Sequence, residues 1–229
     1  MIKIPLTPRQ ITLSIAFPIV AIAFIILGIL ILKKDKNYWG NRFFAMFFWI
    51  IAIALLFNLS YLFSTNYNFI LIMNIATIEF INIGVISLLL GTFVIYKGTR
   101  IVNNYKTYLV IILNAVLIIM HLLISVNNAV SINNDPFWSL EFGIYELIFS
   151  QVLLGIIIIT SLRIYLDITK EMKNKFRWYL LGLIFLDSTL VSIIIDNLNL
   201  FYWWGSIGAV LNFMVVIGAL LIYIGIIRR

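Results

Sequence analysis

The sequence predicts an all-α polytopic membrane protein, a bundle of seven transmembrane helices, from three observations. Hydrophobic residues make up 63% of the chain and charged residues only 11%, against about 45–50% and about 25% in an average soluble domain. The charges gather in short patches, and the stretches between them stay apolar for about 20 residues or more, the length that crosses a hydrocarbon core of about 30 Å as helix. Those stretches are continuously apolar, as in IAFIILGILIL and LGIIIIT, whereas a membrane barrel alternates apolar with polar residues. Within lipid, each backbone amide is then paired inside its own helix.

The spans fall at approximately residues 11–32, 42–63, 70–96, 107–126, 142–166, 177–198 and 203–227 of one domain covering 1–229. The first follows Lys3 and Arg9 and contains Pro18, which is expected to kink it rather than end it. It is too long for a secretory h-region, has no small-residue cleavage site, and stops at a cationic cluster, so it reads as a membrane helix. The second opens beside Tyr38 and Trp39, aromatics of the kind that anchor at headgroup level; Phe137, Trp138, Trp178, Tyr202, Trp203 and Trp204 read the same way. The third carries Glu79 and Asn82, and the fourth places Asn114, His121, Ser125 and Asn128 on one stripe at 100° per residue. A connection of about 15 residues with a turn signal at Asn134, Asp135 and Pro136 leads to the fifth. That helix lines up Glu146, Ser150 and Thr160. The sixth has Asp187 near its middle and Ser188, Ser192, Asp196 and Asn199 on another face. In the seventh, Gly205, Gly208, Asn212 and Ala219 form a small-residue face suited to close helix approach.

Cations set the expected orientation. Lys33, Lys34, Lys36 and Arg42 follow the first span, Lys97, Arg100 and Lys106 the third, Lys170, Lys173, Lys175 and Arg177 the fifth, and Arg228 and Arg229 the last. All lie on one side of a seven-span arrangement, so the positive-inside rule puts the N-terminus outside and the C-terminus in the cytoplasm. Arg163 reads as a snorkelling residue of the same side. The net charge of +7 is thereby explained by topology and anionic lipid headgroups, not nucleic acid. The expected location is a plasma membrane of prokaryotic type.

Several chemistries lack their signatures. No cysteine is present, and neither a GxxxxGK[ST] loop nor HExxH occurs. The single histidine falls short of the intramembrane zinc hydrolases, and Ser206 has no GxSxG elbow around it. The last span has no lysine to bind retinal. A three-plus-one-plus-three arrangement, as in small sugar transporters, would show similarity between spans one to three and five to seven; none is visible, and no Pro-Gln pair occurs. The expectation is a protein that is not an enzyme and holds no cofactor or metal.

What remains is a set of polar groups at membrane depth. A charged side chain at the bilayer centre costs about 2.5–3.5 kcal/mol on insertion scales, so Glu79 and Asp187 require a partner, water or a proton. By residue count, Glu79 and His121 both sit about 6–7 Å outward of the midplane. They are expected to pair and line a polar pocket in the outer half, with Asp187 or Asn212 opposite. Glu79, Asn82, Asn114, His121, Asp187 and Asn212 are the candidate pocket residues.

The passage KKDKNYWGNRFFAMFFWIIAIALLFNLSYLF, with Asn41 to Trp49 at its centre, is followed by IATIEFINIGVISLLLGTFVIYKG, with Ile78, Glu79 and Phe80 and the closing Tyr96, Lys97 and Gly98. Together they resemble the second and third helices of the seven-helix sensor regions that precede some bacterial and archaeal histidine kinases. The resemblance implies a sensing module whose output leaves through the last helix. This sequence has no kinase after Arg229, so output is expected through a cytoplasmic partner, with DITKEMKNKFR as the docking loop, or through a domain outside this sequence. The functional expectation is a sensor or receptor-like membrane module that takes a small ligand. The alternatives are a small transporter or ion-conducting subunit using Glu79 and Asp187, and a structural subunit with a lateral membrane partner.

Overall fold

A computed structural model describes residues 8–130, 136–198 and 204–227, with side chains over 14–130, 136–198 and 214–226. Seven helices account for nearly all of it: α1 (Pro8–Lys34), α2 (Trp39–Tyr61), α3 (Tyr67–Lys97), α4 (Tyr105–Ile124), α5 (Leu140–Asp167), α6 (Lys170–Asn197) and α7 (Trp204–Ile227). Six have described stretches long and apolar enough to cross a membrane, and the described part of α7, Met214–Ile226, is a shorter apolar helix. The protein is a helical, multipass membrane bundle.

Most helices run a few residues past their apolar runs, because local signals outside the lipid zone carry them on. Asn66 caps α3 by accepting from the Phe69 amide at 3.2 Å, Asn104 caps α4 through Lys106, and Ser139 caps α5 through Phe142. Gly98, at φ +78°, ends α3 in a conformation that residues with a Cβ rarely adopt. Pro18 sits inside an unbroken α1. The largest departure is at α6, which begins at Lys170 rather than near 177. Glu171 in its first turn suits the positive end of the helix dipole. The expected docking loop is therefore helix, and only Ile168 and Thr169 separate α5 from α6.

In space the helices form a closed ring in the order α1, α2, α3, α5, α6, α7, with α7 returning to α1. α4 stands outside that ring, against α3 and α5. Two consecutive three-helix sets thus face each other with one helix left over. This is a three-plus-one-plus-three arrangement in space, without the sequence repeat that was expected to accompany it. Packing constrains backbone geometry but not residue identity, so such an arrangement needs no internal similarity.

One half of the ring is solid. Toward the end where the basic connections emerge, here called the basic end, Phe24 and Ile31 of α1, Phe44, Phe47 and Phe48 of α2, Leu88 and Leu89 of α3, Ile157 of α5, Tyr179 and Leu183 of α6 and Ile222 of α7 are all buried. Tyr179 reaches across to α3, its hydroxyl 2.7 Å from Thr92 Oγ1, and its ring meets Phe44 edge-on at 6.1 Å. Helices α6 and α7 touch backbone to backbone: a Cβ on Gly182 would stand 2.7 Å from the Gly218 carbonyl oxygen, and one on Gly225 would stand 2.5 Å from the Tyr179 amide nitrogen. The close approach therefore runs through Gly218 and Gly225, with Ala219 buried beside them. The side chains of Asn212 and the positions of Gly205 and Gly208 along the expected small-residue face lie outside the described side chains.

The other end, called the neutral end because its described connections carry no lysine or arginine, is capped. After α4 a 3₁₀ turn (Ser125–Asn127) leads into a two-residue strand, β1 (Ala129–Val130), paired antiparallel with β2 (Pro136–Phe137). The turn residues Asn134 and Asp135 lie outside the described residues. Trp138, expected at the headgroups, is instead 1% exposed. It packs on Phe142, Ile78 and Ile194, its amide donates to Asn197 O at 3.0 Å, and its indole donates to Asn74 Oδ1 at 2.8 Å. A buried indole N–H finds a partner, and Asn74 supplies it. Trp39 and Trp178 do face outward, while Tyr202, Trp203 and the side chain of Trp204 are outside the described set.

Candidate functional site

Two features occupy the neutral half, and they lie on opposite sides of α3. The first is a cavity of about 120 Å³ on the ring's axis, close in size to the roughly 150 Å³ that admits benzene in an engineered apolar cavity. Its floor is made by one residue from each ring helix, Val20, Ile51, Val85, Leu154, Leu186 and Val215. Each lies close to the middle of its own helix. The mouth is polar, with Asn58, Tyr61, Asn74, Thr77, Asp196 and Asn197 around it and Pro136 of the cap at its edge. Tyr61 is fixed there by Asn74, whose amide donates to the Tyr61 hydroxyl at 3.1 Å while accepting from Trp138. α4 contributes nothing to this wall.

The second feature is a buried polar cluster between α3, α4 and α5. His121 Nδ1 lies 2.8 Å from Glu79 Oε1 and 3.7 Å from Glu146 Oε2. Asn82 donates to Glu146 Oε2 at 3.0 Å. The imidazole is fully buried and stacks on Phe142, centroids 4.0 Å apart, and on Tyr145 at 5.1 Å. Tyr145 turns its hydroxyl to the Leu117 carbonyl of α4 at 2.8 Å. Glu79 Oε2, Asn82 Oδ1 and His121 Nε2 have no hydrogen-bond partner among the described residues. Two carboxyls thus share one imidazole, and every lysine and arginine whose side chain is described lies toward the basic end. The cluster has more acceptor atoms than donors.

The six expected pocket residues separate accordingly. Glu79, Asn82 and His121 come together, with the Glu79–His121 contact formed as matching depth suggests, but they do not line the cavity. Asn114 is buried two turns along α4 from His121, its amide donating to Val110 O at 2.7 Å. Asp187 belongs to neither feature: it accepts from Gln151 Nε2 at 2.7 Å and joins α6 to α5. Asn212 falls outside the described side chains. The stripe on α4 faces inward, with Asn114, His121, Ser125 and Asn128 buried, as do Glu146, Ser150 and Thr160 on α5. Ser188 does not; it is exposed and bonds its own helix at Ile184 O. Asn199 is not described.

Glu146, absent from the expected site, is central to the cluster. Its sequence signal is its place on the polar stripe of the fifth span, and nothing in that stripe pairs it with Glu79. The mouth residues Asn58, Tyr61 and Asn74 were missed because single polar residues near span ends are unremarkable in a sequence rich in Asn and Tyr. Among the described residues, no three histidine, cysteine or carboxylate side chains are placed to hold a metal ion.

Fold and cavity define a helical multipass membrane protein with an axial cavity closed at one half and capped at the other. No family model, no curated protein and no solved structure matches the chain.

Proposed function

We propose that the protein is a sensor or receptor-like membrane module that binds a small ligand in the axial cavity. In this reading it spans a prokaryotic plasma membrane with its N-terminus outside, so the neutral end and the cavity mouth face the exterior and the basic end faces the cytoplasm. The observation that carries the proposal is the cavity's form: a polar mouth at one end, an apolar floor at mid-membrane, and solid packing from there to the basic end. Ligand enters from one side and meets a closed floor. That suits a site read through its occupancy, and a cytoplasmic partner docked on the basic end would read it. The first turns of α6, with Lys170, Lys173 and Lys175, offer that partner a helical surface. The resemblance of residues 33–63 and 75–98 to kinase sensor regions supports the same role.

Transport is the second reading, and one observation favours it: the cavity lies between two three-helix sets, where transporters built from paired halves bind their substrates near the midplane. It no longer draws on Glu79 and Asp187, which belong to separate hydrogen-bonded groups away from the cavity. A thermal-stability screen of the purified protein over small metabolites, followed by flux measurements in proteoliposomes with any hit, separates the two. Stabilisation without flux is the expected outcome. Flux of the stabilising compound would replace the receptor with a transporter.

A further inference from the structure

Among the described residues, the mouth's amide and hydroxyl groups are nearly all committed to protein partners. Asn74 is bonded on both sides, to Tyr61 and Trp138. Thr77 donates to Met73 O, Thr189 to Phe185 O and Asn197 to Ile193 O. Asn58 is the exception. It lines the cavity one turn from the end of α2, half-buried, and its side-chain amide has no hydrogen-bond partner among the described residues. Below it the wall down to the floor residues Ile51 and Leu186 is hydrocarbon, with Phe17, Leu55 and Leu190, apart from the Thr189 hydroxyl, which is bonded within α6.

From this arrangement we infer that the cavity is built for a small uncharged amphiphile, a compact apolar body that descends to the floor and a hydroxyl or amide head held by Asn58. The inference rests on the ligand-site reading above and specifies its chemistry. An apolar body follows from the floor, where a polar group would lose its water and gain no partner. A neutral head follows from the partner offered, since a primary amide both donates and accepts and so completes the bonds of a hydroxyl or amide. A lone carboxamide supplies no charge to offset the desolvation of an ionised head. Asp196, the acid at the mouth, already has an interaction of its own; it would repel an anionic head, and the inference gives it no part in binding.

The test uses four probes on the full chain in nanodiscs, 1-hexanol, hexanoate, hexylammonium and benzene, with the shift in unfolding temperature as readout. Two floor-filling variants, Leu186→Trp and Val20→Phe, separate cavity binding from partition into lipid: only a shift that disappears in a filled variant counts. Hexanol is expected to act at about tenfold or more lower concentration than either ion, the margin of one to two uncompensated polar contacts. Asn58→Leu is expected to raise the hexanol concentration needed by about fivefold or more while leaving benzene unchanged. An ion that matches or exceeds hexanol overturns the neutral-head inference, as does an unchanged response to hexanol in Asn58→Leu. If benzene too gives no shift that floor filling removes, the cavity is not a ligand site and the underlying reading fails with it.

Discussion

His121 is held by four side chains from two helices other than its own: Glu79 on α3, and Glu146, Phe142 and Tyr145 on α5. In a membrane, apolar side chains gain little by leaving lipid for protein, so hydrogen bonds and close packing decide helix position. A double-mutant cycle of Glu79→Gln and His121→Gln in detergent should therefore show coupling above about 0.5 kcal/mol, as expected for residues in contact; additive losses would mean that the pair is not formed in solution. Glu146→Gln should couple to His121→Gln as well, more weakly because of the longer 3.7 Å separation. The Glu79–His121 contact was legible because both residues lie at similar depth on consecutive spans. Glu146 was not, because helices differ in length and tilt, so counting from each midpoint misplaces depth by a turn or more. Asp187 was misassigned for a related reason. Its depth is right for the centre, but which face of α6 turns to the axis is set by the contact at Gly182, which sequence alone does not reveal.

At the scale of elements, two kinds of helix attachment stand side by side. α6 and α7 meet through glycine, backbone against backbone, whereas α4 rests on α3 and α5 through a narrow polar stripe. Thr107, Asn114 and His121, seven residues apart, are the buried positions of α4, and Leu109, Ile112, Val116, Ile119 and Leu123 around them are exposed to lipid. Gly182→Ala should lower stability by about 1–3 kcal/mol, the usual cost of overpacking, since the added methyl meets backbone that has no room to yield. Gly155→Ala is the control. Nothing lies within 4 Å of a Cβ there, so it should be neutral or raise stability by up to about 1 kcal/mol through helix propensity. Equal effects of the two substitutions on the unfolding temperature would argue against the α6–α7 contact. Existence and order of all seven helices were readable from apolar run length. Their ends were less so, because a run marks where lipid stops and the caps at Asn66, Asn104 and Ser139 mark where helix begins.

For the whole molecule, the proposed orientation makes a prediction that the absence of native cysteine leaves unobscured. A cysteine at Thr65, exposed between α2 and α3, should react with a membrane-impermeant maleimide in intact cells. A cysteine at Lys173 should react only after the membrane is opened. The reverse pattern inverts the topology, and labelling of both in intact cells would mean that a helix does not cross. Charge distribution along the chain motivates that orientation, but it says nothing of the ring. Its order depends on α3 packing more extensively on α5 than on α4, and no pattern along the chain announces it.

The return of α7 to α1 has a consequence for biogenesis. As the chain emerges from the ribosome, α1 precedes the other six helices of the bundle and its second neighbour in the ring, α7, follows them. Until α7 arrives, the axial cavity is a trough open along one flank, and acyl chains have access to the surface that ends up as its wall. Closing the seam joins positions nearly the whole chain apart, a contact of the slow, long-range kind. A chain arrested before α7 would present to the bilayer a groove that the finished protein encloses within its ring.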